Sequence, residues 1–131
     1  MAKKSALVFG IIFLIVGILG FIPNGIVGMG ATFEAGTLHN VIHLIFGLVL
    51  VWVAVKSAHK AATTLKVVGI IYLILAIIGF IQDSTILGIV AVNSADNWLH
   101  LVLGIVIAAL GFASKKEMAM PSSIPSSAPQ M

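Results

Sequence analysis

Four long apolar segments constrain this chain more than any other feature of its sequence. They cover residues 6–22, 38–55, 65–81 and 98–113, and none of them contains Asp or Glu. A helix rises 1.5 Å per residue, so about 17 apolar residues are enough to cross a thin hydrocarbon core. Charged residues are only 8% of the chain, against about 25% in soluble domains. The sequence therefore predicts an all-α fold, a four-helix transmembrane bundle.

The charges between these segments predict how the bundle is oriented. Both loops that follow the first and third segments contain acidic residues and no Lys or Arg. By the positive-inside rule, the N and C termini are then cytoplasmic and the acidic loops face outward, in a multi-pass protein of the cytoplasmic (inner) membrane. The seven lysines all lie at the other ends of the segments: Lys3, Lys4, Lys56, Lys60, Lys66, Lys115 and Lys116.

The two halves of the chain resemble each other. VFGIIFLIVGILGFI at 8–22 aligns with VVGIIYLILAIIGFI at 67–81, and NVIHLIFG at 40–47 returns as NWLHLVLG at 97–104. The alignment predicts two parallel helical-hairpin repeats, which start on the same side of the membrane and are related by an axis along the membrane normal. It also argues that the first segment is a membrane helix rather than a cleaved signal peptide, since a leader has no reason to copy a later helix.

The domain boundaries follow from this repeat and from the composition of the C-terminal end. Residues 1–114 form one membrane domain, and residues 115–131 have the Ser and Pro content of a disordered cytoplasmic tail. The outward loops contain the apolar stretches IVGMGA at 26–31 and ILGIVAV at 86–92. These stretches are expected either to lie against the helix ends at the membrane interface or to fold back as a lid over the bundle.

Small residues recur seven apart in every segment, which predicts a packing seam. Helices in a membrane associate through close contact of small residues, because lipid is as apolar as their side chains. Asn40 and His43 lie on the same helix face as one of these glycines, and Asn97 and His100 repeat the spacing, so all four should face the bundle interior. The seam residues are Gly10, Gly17, Gly47, Gly69, Gly104, Ala108 and Gly111.

Four side chains form a candidate metal site. His39 precedes His43 by four residues and Asp96 precedes His100 by four, so each pair lies on one helix face. Together they offer three nitrogens and one oxygen, a set suited to zinc or copper. Asn40 and Asn97 would then hold the imidazoles in orientation or form interhelical hydrogen bonds. The hydroxyl of Tyr72 is expected to find a partner near mid-membrane.

Two other interpretations of these residues stay open. His43 and His100 could be axial ligands of a haem held between helices. Alternatively, neutral His and Asn could simply hydrogen-bond across helices and fix their register, with no cofactor. The sequence thus predicts no cofactor on its own and leaves zinc, copper and haem as candidates.

Several functional classes have no support in the sequence. The chain has no Cys, and it shows no Ser-His-Asp arrangement, Gly-rich phosphate loop or pair of carboxylates inside a span. Its net charge of +3 is explained by membrane orientation and does not indicate nucleic acid. We expect a non-enzymatic structural or accessory role in the lipid bilayer, in a homo-oligomer or a larger membrane complex. The alternative is metal or haem binding by the paired histidines.

Several motifs carry a family resemblance. The GFI ends of the first and third segments, HNVIHLIFG at 39–47 and VNSADNWLHLVLG at 92–104 resemble small four-span bacterial membrane proteins grouped as domain of unknown function 4383. The resemblance covers approximately residues 5–113. It implies the same four-span fold and a bacterial membrane, and it supplies neither an activity nor a catalytic residue.

Overall fold

The computed structural model describes the backbone of residues 1–119 and the side chains of residues 1–114. Within this part of the chain, four helices are long and apolar enough to cross a membrane, which confirms the predicted all-α transmembrane fold. A short 3-10 turn at Ala58–Lys60 joins the second helix to the third. The helices are α1 (Ala2–Leu19), α2 (Thr37–Lys56), α3 (Ala61–Gln82) and α4 (Ser94–Ala119).

The ends of α1 and α4 differ from the predicted spans. α1 ends at Leu19, before residue 22, since Pro23 disfavours helical conformation at Ile22. The side chain of Asn24 folds back on this helix end: its Nδ2 donates to the carbonyl oxygen of Leu19 at 2.8 Å, and its Oδ1 accepts from the backbone N–H of Val27 at 2.9 Å. α4 continues to Ala119, past residue 114, through a Lys-Lys-Glu-Met sequence that favours helix. The rest of the predicted tail, residues 120–131, lies outside the described residues.

The helices pack chiefly as two antiparallel pairs, α1 with α2 and α3 with α4. The glycines of the predicted seam lie where the partner helix is close. A Cβ added at Gly10 would come within 2.8 Å of the Val51 side chain, and one at Gly104 within 2.9 Å of Leu73. At Gly69 an added Cβ would meet the backbone of Ala108. Such contacts exclude any larger side chain without movement of a helix.

The outer surface of the bundle is apolar along all four helices. Ile15, Leu48, Ile77 and Ile105 are each more than half exposed, at 52, 60, 57 and 54% of their full surface. A soluble protein rarely exposes so large a continuous apolar surface. The helices therefore direct these side chains outward, as a bilayer requires, and bury the His and Asn side chains of α2 and α4.

Two loops cover the same end of the bundle, which we call the loop end. They contain residues 20–36 and 83–93. In the first, β1 (Val27–Gly28) pairs in parallel with β2 (Phe33–Glu34), and in the second, β3 (Thr85–Ile86) pairs antiparallel with β4 (Val90–Ala91).

These loops close over the helix ends rather than lying apart from them. Val27, Ala35, Ile86 and Val92 are all buried. The two loops are also joined, because Nδ2 of Asn93 donates to the carbonyl oxygen of Thr32 at 3.0 Å. Both stretches also expose large apolar side chains, with Met29 at 74% and Ile89 at 68% of their full surface, so the two arrangements that the sequence left open both stay predictions.

Candidate functional site

A cluster of ionisable side chains lies just beneath the loop end. His39 and His43 occupy the first two turns of α2, and Asp96 and His100 occupy the same turns of α4. The i, i+4 spacing places each pair on one helix face, and both faces point to the bundle centre. All four side chains are buried, with 2–6% of their surface exposed. The structure thus gathers the four residues that the sequence identified.

The three imidazoles converge from two different helices. One ring nitrogen from each of His39, His43 and His100 lies within 4.8 Å of the other two. The ring centres are 4.6 Å apart for His39 and His43, 5.3 Å for His39 and His100, and 6.3 Å for His43 and His100. The rings therefore surround a single small space.

Asp96 adds a carboxylate to one side of this space. Its Oδ2 lies 3.5 Å from Nδ1 of His100 and 3.8 Å from Nε2 of His39. The first contact is within α4 and the second joins α4 to α2. The backbone N–H of Asp96 donates to Oδ1 of Asn93 at 2.9 Å, which fixes the start of α4 and so the position of this side chain.

The orientation of His39 is set by the cover of the site. Its Nδ1 lies 3.0 Å from the carbonyl oxygen of Ala91 in β4. A carbonyl oxygen can only accept, so Nδ1 carries the hydrogen of the neutral ring and Nε2 keeps a free lone pair. That lone pair is on the side of the ring that faces Asp96.

Aromatic rings form the floor of the site. Phe13 and Tyr72 stack with ring centres 5.2 Å apart, and Phe13 also stacks on His43 at 5.8 Å. Tyr72 meets His100 edge to face at 5.1 Å. The hydroxyl of Tyr72 makes no hydrogen bond within residues 1–114, so the expected polar partner is not found there. Tyr72 instead contributes its ring, which packs against Phe13 and His100.

Asn40 and Asn97 lie beside the histidines but contact different groups. The carboxamide of Asn40 covers Gly20, and that of Asn97 covers Gly79, so closely that a Cβ at either glycine would collide with it. Nδ2 of Asn40 also donates to the carbonyl oxygen of Ala35 at 3.5 Å. In the described part of the chain, the structure does not bring either Asn into a hydrogen bond with an imidazole.

Several polar atoms of the cluster are buried without a hydrogen bond. Among the described residues, these include Nδ1 of His43, Nδ1 of His100 and Oδ2 of Asp96. An unsatisfied buried polar group costs about 1–3 kcal/mol, and folded proteins leave few of them. Two of these three atoms, Oδ2 of Asp96 and Nδ1 of His100, lie 3.5 Å from each other, and all three lie at the same end of the bundle interior.

Sequence reasoning missed three parts of this arrangement. The carbonyl of Ala91 has no signal in the sequence, since every residue carries one. Phe13 looks like an ordinary lipid-span residue. Gly20 and Gly79 did have a signal, because GFI ends both the first and the third apolar segments. The signal did not indicate that an Asn side chain packs against each of these glycines.

Comparison with known proteins identifies a family. A family model described as Domain of unknown function (DUF4383) matches residues 3–113. This range contains the whole cluster and both loops, and it agrees with the resemblance carried by the His-containing motifs. No curated protein and no solved structure matches the chain.

Proposed function

We propose that this chain, which belongs to the family described as a domain of unknown function (DUF4383), is a multi-pass membrane protein that binds a zinc or copper ion through His39, His43 and His100. One observation carries the proposal: three buried imidazoles from two helices each bring a nitrogen within 4.8 Å of the others. Neutral imidazoles are ligands that both metals accept readily.

The distances suit a metal after a small movement. Zinc–nitrogen bonds are about 2.0–2.1 Å long, so tetrahedral ligand nitrogens are about 3.4 Å apart. The ring nitrogens lie up to 4.8 Å apart, so they would have to approach one another by about 1.4 Å to bind one ion. Asp96 is near enough to His39 and His100 to supply the fourth ligand or to orient both rings.

The surroundings of His39 support the same proposal. Metal-binding histidines usually donate their second ring N–H to a carboxylate or a backbone carbonyl, which fixes the tautomer and the ring plane. The contact of His39 with Ala91 has this form. It presents Nε2 to the site without any metal-induced change of tautomer.

The purely structural or accessory role is less well supported by the geometry. Register-fixing by hydrogen bonds requires that the buried groups pair with one another across helices. Instead, Oδ1 of Asn40, Oδ1 of Asn97 and Nδ1 of both His43 and His100 lack hydrogen-bond partners within the described part of the chain.

Haem is also less well supported than a metal ion. Sites for organic ligands usually have volumes of about 300–1,000 Å³. The cavity beside His43 and His100 has a volume of about 160 Å³. This is too small for a porphyrin between the two rings.

We also propose that the loop end faces outward and that the bundle arose from two parallel hairpin repeats. The lysine distribution supports the orientation. The matching contacts of Asn40 with Gly20 and of Asn97 with Gly79 support the repeat.

Metal content tests the proposed function directly. The protein, purified in detergent, is stripped with a chelator, reloaded with zinc or copper and freed of excess metal. We expect about one ion per chain by mass spectrometry of the metal, little in His100→Ala, and an unchanged content in the control His59→Ala, whose side chain is exposed in the α2–α3 linker. Circular dichroism checks that His100→Ala remains helical. An unmodified protein that stays helical and retains neither metal refutes the proposal and favours the structural role.

A further inference from the structure

The turn that joins β3 to β4 carries a large apolar side chain at its tip. Leu87 and Gly88 both have positive φ, 54° and 73°, and the backbone N–H of Ile89 donates to the carbonyl oxygen of Ile86 at 3.2 Å. This is the geometry of a tight hairpin turn in which Asn, Asp and Gly are preferred. A Leu in this conformation is strained, and Leu87 gains little from the rest of the chain because it is 67% exposed.

Exposed apolar side chains are found at the tips of both loops. Ile89 follows the turn in the second loop, Ile26 and Met29 lie in the first loop, and each of the three is at least 60% exposed. Val27 and Ile86 are buried, so each loop has one apolar face directed into the bundle and another directed away from it. Water disfavours such an outer face, which indicates that an apolar partner covers it.

Both tips lie at the edge of the bundle, beside helix ends. The backbone N–H of Leu87 donates to Oε1 of Gln82, the exposed last residue of α3, at 2.6 Å. Ile81, directly before it, is exposed and continues the apolar outer surface of α3. In the first loop, Asn24 accepts from the backbone N–H of Ile26 at 2.8 Å and donates to the carbonyl oxygen of the last residue of α1. The outer face of each loop therefore adjoins the lipid-facing surface of a helix.

An aromatic pair indicates the height of the bilayer surface at this end. Trp98 in α4 and Phe80 in the last turn of α3 are both exposed, and their ring centres are 5.1 Å apart. Trp is enriched where the bilayer meets water. Phe80 is two residues before the end of α3, so the second loop begins about 3 Å above it. The headgroup region of one leaflet is about 5–7 Å thick, which places the start of this loop within it.

We propose that the tips of the two loops, Ile26 and Met29 in the first and Leu87 and Ile89 in the second, insert into the boundary between headgroups and acyl chains of the leaflet at the loop end. The partner is the bilayer itself, since the apolar surface of the helices continues onto the loops. The strand β4 is then held on two sides, by lipid near Ile89 and by His39 at Ala91. The insertion does not depend on metal binding.

Spin labels measure the depth of the loop tips. Single cysteines in the full chain, in lipid nanodiscs, carry a nitroxide whose accessibility to oxygen and to a water-soluble nickel chelate is compared. Oxygen concentrates in the bilayer, and the chelate stays in water. We expect the ratio of oxygen to chelate accessibility to be several-fold higher in Leu87→Cys and Ile89→Cys than in Ser84→Cys, an exposed polar position of the same loop.

The first loop has its own matched pair. Met29→Cys should show a several-fold higher ratio than Thr32→Cys, which replaces an exposed polar residue. A tip position that is as accessible to the nickel chelate as the polar position of its loop overturns the proposal. Neither result bears on whether the histidines bind a metal, so the two proposals fail separately.

A substitution that keeps the turn gives a second test with opposite expectations. Asn tolerates positive φ, so Leu87→Asn relieves the strain and removes only the apolar tip. If the tip lies in lipid, amide hydrogen exchange over residues 85–92 in nanodiscs should become faster, because the loop loses its contact with the bilayer. Slower or unchanged exchange would show that the tip lies in water. Ser84→Asn introduces the same side chain at an exposed polar position and is the control.

A second copy of the chain is the competing occupant. A nitroxide buried between two proteins becomes inaccessible to oxygen and to the nickel chelate alike. Low accessibility to both reagents that is lost in nanodiscs containing a single chain would identify a protein interface and refute insertion. A high ratio of oxygen to chelate accessibility that persists with a single chain per nanodisc supports the bilayer as the partner.

Discussion

His39 on α2 and Ala91 in β4 are joined by a hydrogen bond of 3.0 Å across 52 residues of sequence. It links a candidate metal ligand directly to the loop that covers it. Asn93, two residues further on, donates to the carbonyl oxygen of Thr32 in the other loop and accepts from the backbone N–H of Asp96. The two loops are thus hydrogen-bonded to His39 and Asp96, two of the four site residues. A change in these residues should therefore alter the loops, and a change in the loops should alter the site.

Removal of the His39 ring should loosen the loop that contains β3 and β4. We expect His39→Ala to raise the rate of amide hydrogen exchange over residues 85–92, because these residues lose their bond to α2. The measurement is hydrogen exchange followed by peptide mass spectrometry. His59→Ala, in the linker at the opposite end, is the control and should leave exchange in this loop unchanged. Equal exchange in His39→Ala and unmodified protein would show that the bond does not hold the loop.

Neutralising Asp96 should weaken metal binding without abolishing it. Its carboxylate lies 3.5 Å from His100 and 3.8 Å from His39. Loss of such a group usually lowers metal affinity about 10–100-fold. Asp96→Asn should therefore bind zinc more weakly by this factor in a competition titration with a chromophoric chelator. Asp83→Asn, which changes an exposed loop carboxylate, should match the unmodified protein. An affinity that is the same in both variants would exclude Asp96 from the site.

Alanine at Gly20 or Gly79 should destabilise the bundle. In each case the new Cβ would collide with an Asn carboxamide that is itself buried, Asn40 or Asn97. Overpacking of this kind costs about 1–3 kcal/mol, which denaturant unfolding in detergent can measure. Gly25→Ala is the control, since nothing lies within 4 Å of its Cβ position. In addition, Asn40→Ala should reduce the loss of unfolding free energy caused by Gly20→Ala, but not the loss caused by Gly79→Ala. A double-mutant cycle measures both effects.

Alanine substitutions at different seam glycines should destabilise the bundle to different extents. A Cβ at Gly69 would meet the backbone of Ala108, which cannot move without shifting α4. A Cβ at Gly17 would first meet the Leu44 side chain, at 2.8 Å, which can rotate away in part. We therefore expect Gly69→Ala to lower the free energy of unfolding by about 1 kcal/mol more than Gly17→Ala. If Gly17→Ala were the more destabilising change, a shift of the α4 backbone would cost less than rotation of the Leu44 side chain.

The sequence predicted the fold and the members of the site more fully than it predicted their contacts. Four apolar segments determine four helices because the bilayer leaves the backbone few other arrangements. The i, i+4 spacing of His39 with His43 and of Asp96 with His100 fixes which side chains share a face. It does not fix what each one touches: Asn40 shares the face of His43, yet it covers Gly20, the residue that follows α1. Contacts between helices depend on where the helices cross, and that is not a property of one segment.

The ends of the helices are also features that the sequence did not predict. α1 stops at Leu19 although Phe21 and Ile22 are apolar enough to continue it. Pro23 disfavours helix at Ile22, and Asn24 bonds to the carbonyl of Leu19. Hydropathy cannot detect this, since a single side chain that bonds to the backbone adds almost nothing to the average over a segment. The apolar loop sequences likewise do not show which of their side chains are buried: Ile86 and Val92 are buried, whereas Leu87 and Ile89 are exposed.

The orientation of the bundle can be tested with single cysteines, because the chain has none of its own. Ser84 is exposed at the loop end, and Thr63 is exposed at the start of α3 at the opposite end. The lysines lie at the Thr63 end, so the positive-inside rule makes that end cytoplasmic. In intact cells, a membrane-impermeant maleimide should therefore label Ser84→Cys and should label Thr63→Cys only after permeabilisation. Labelling of Thr63→Cys alone in intact cells would mean that the bundle has the opposite orientation, with the proposed metal site in the cytoplasmic half of the membrane.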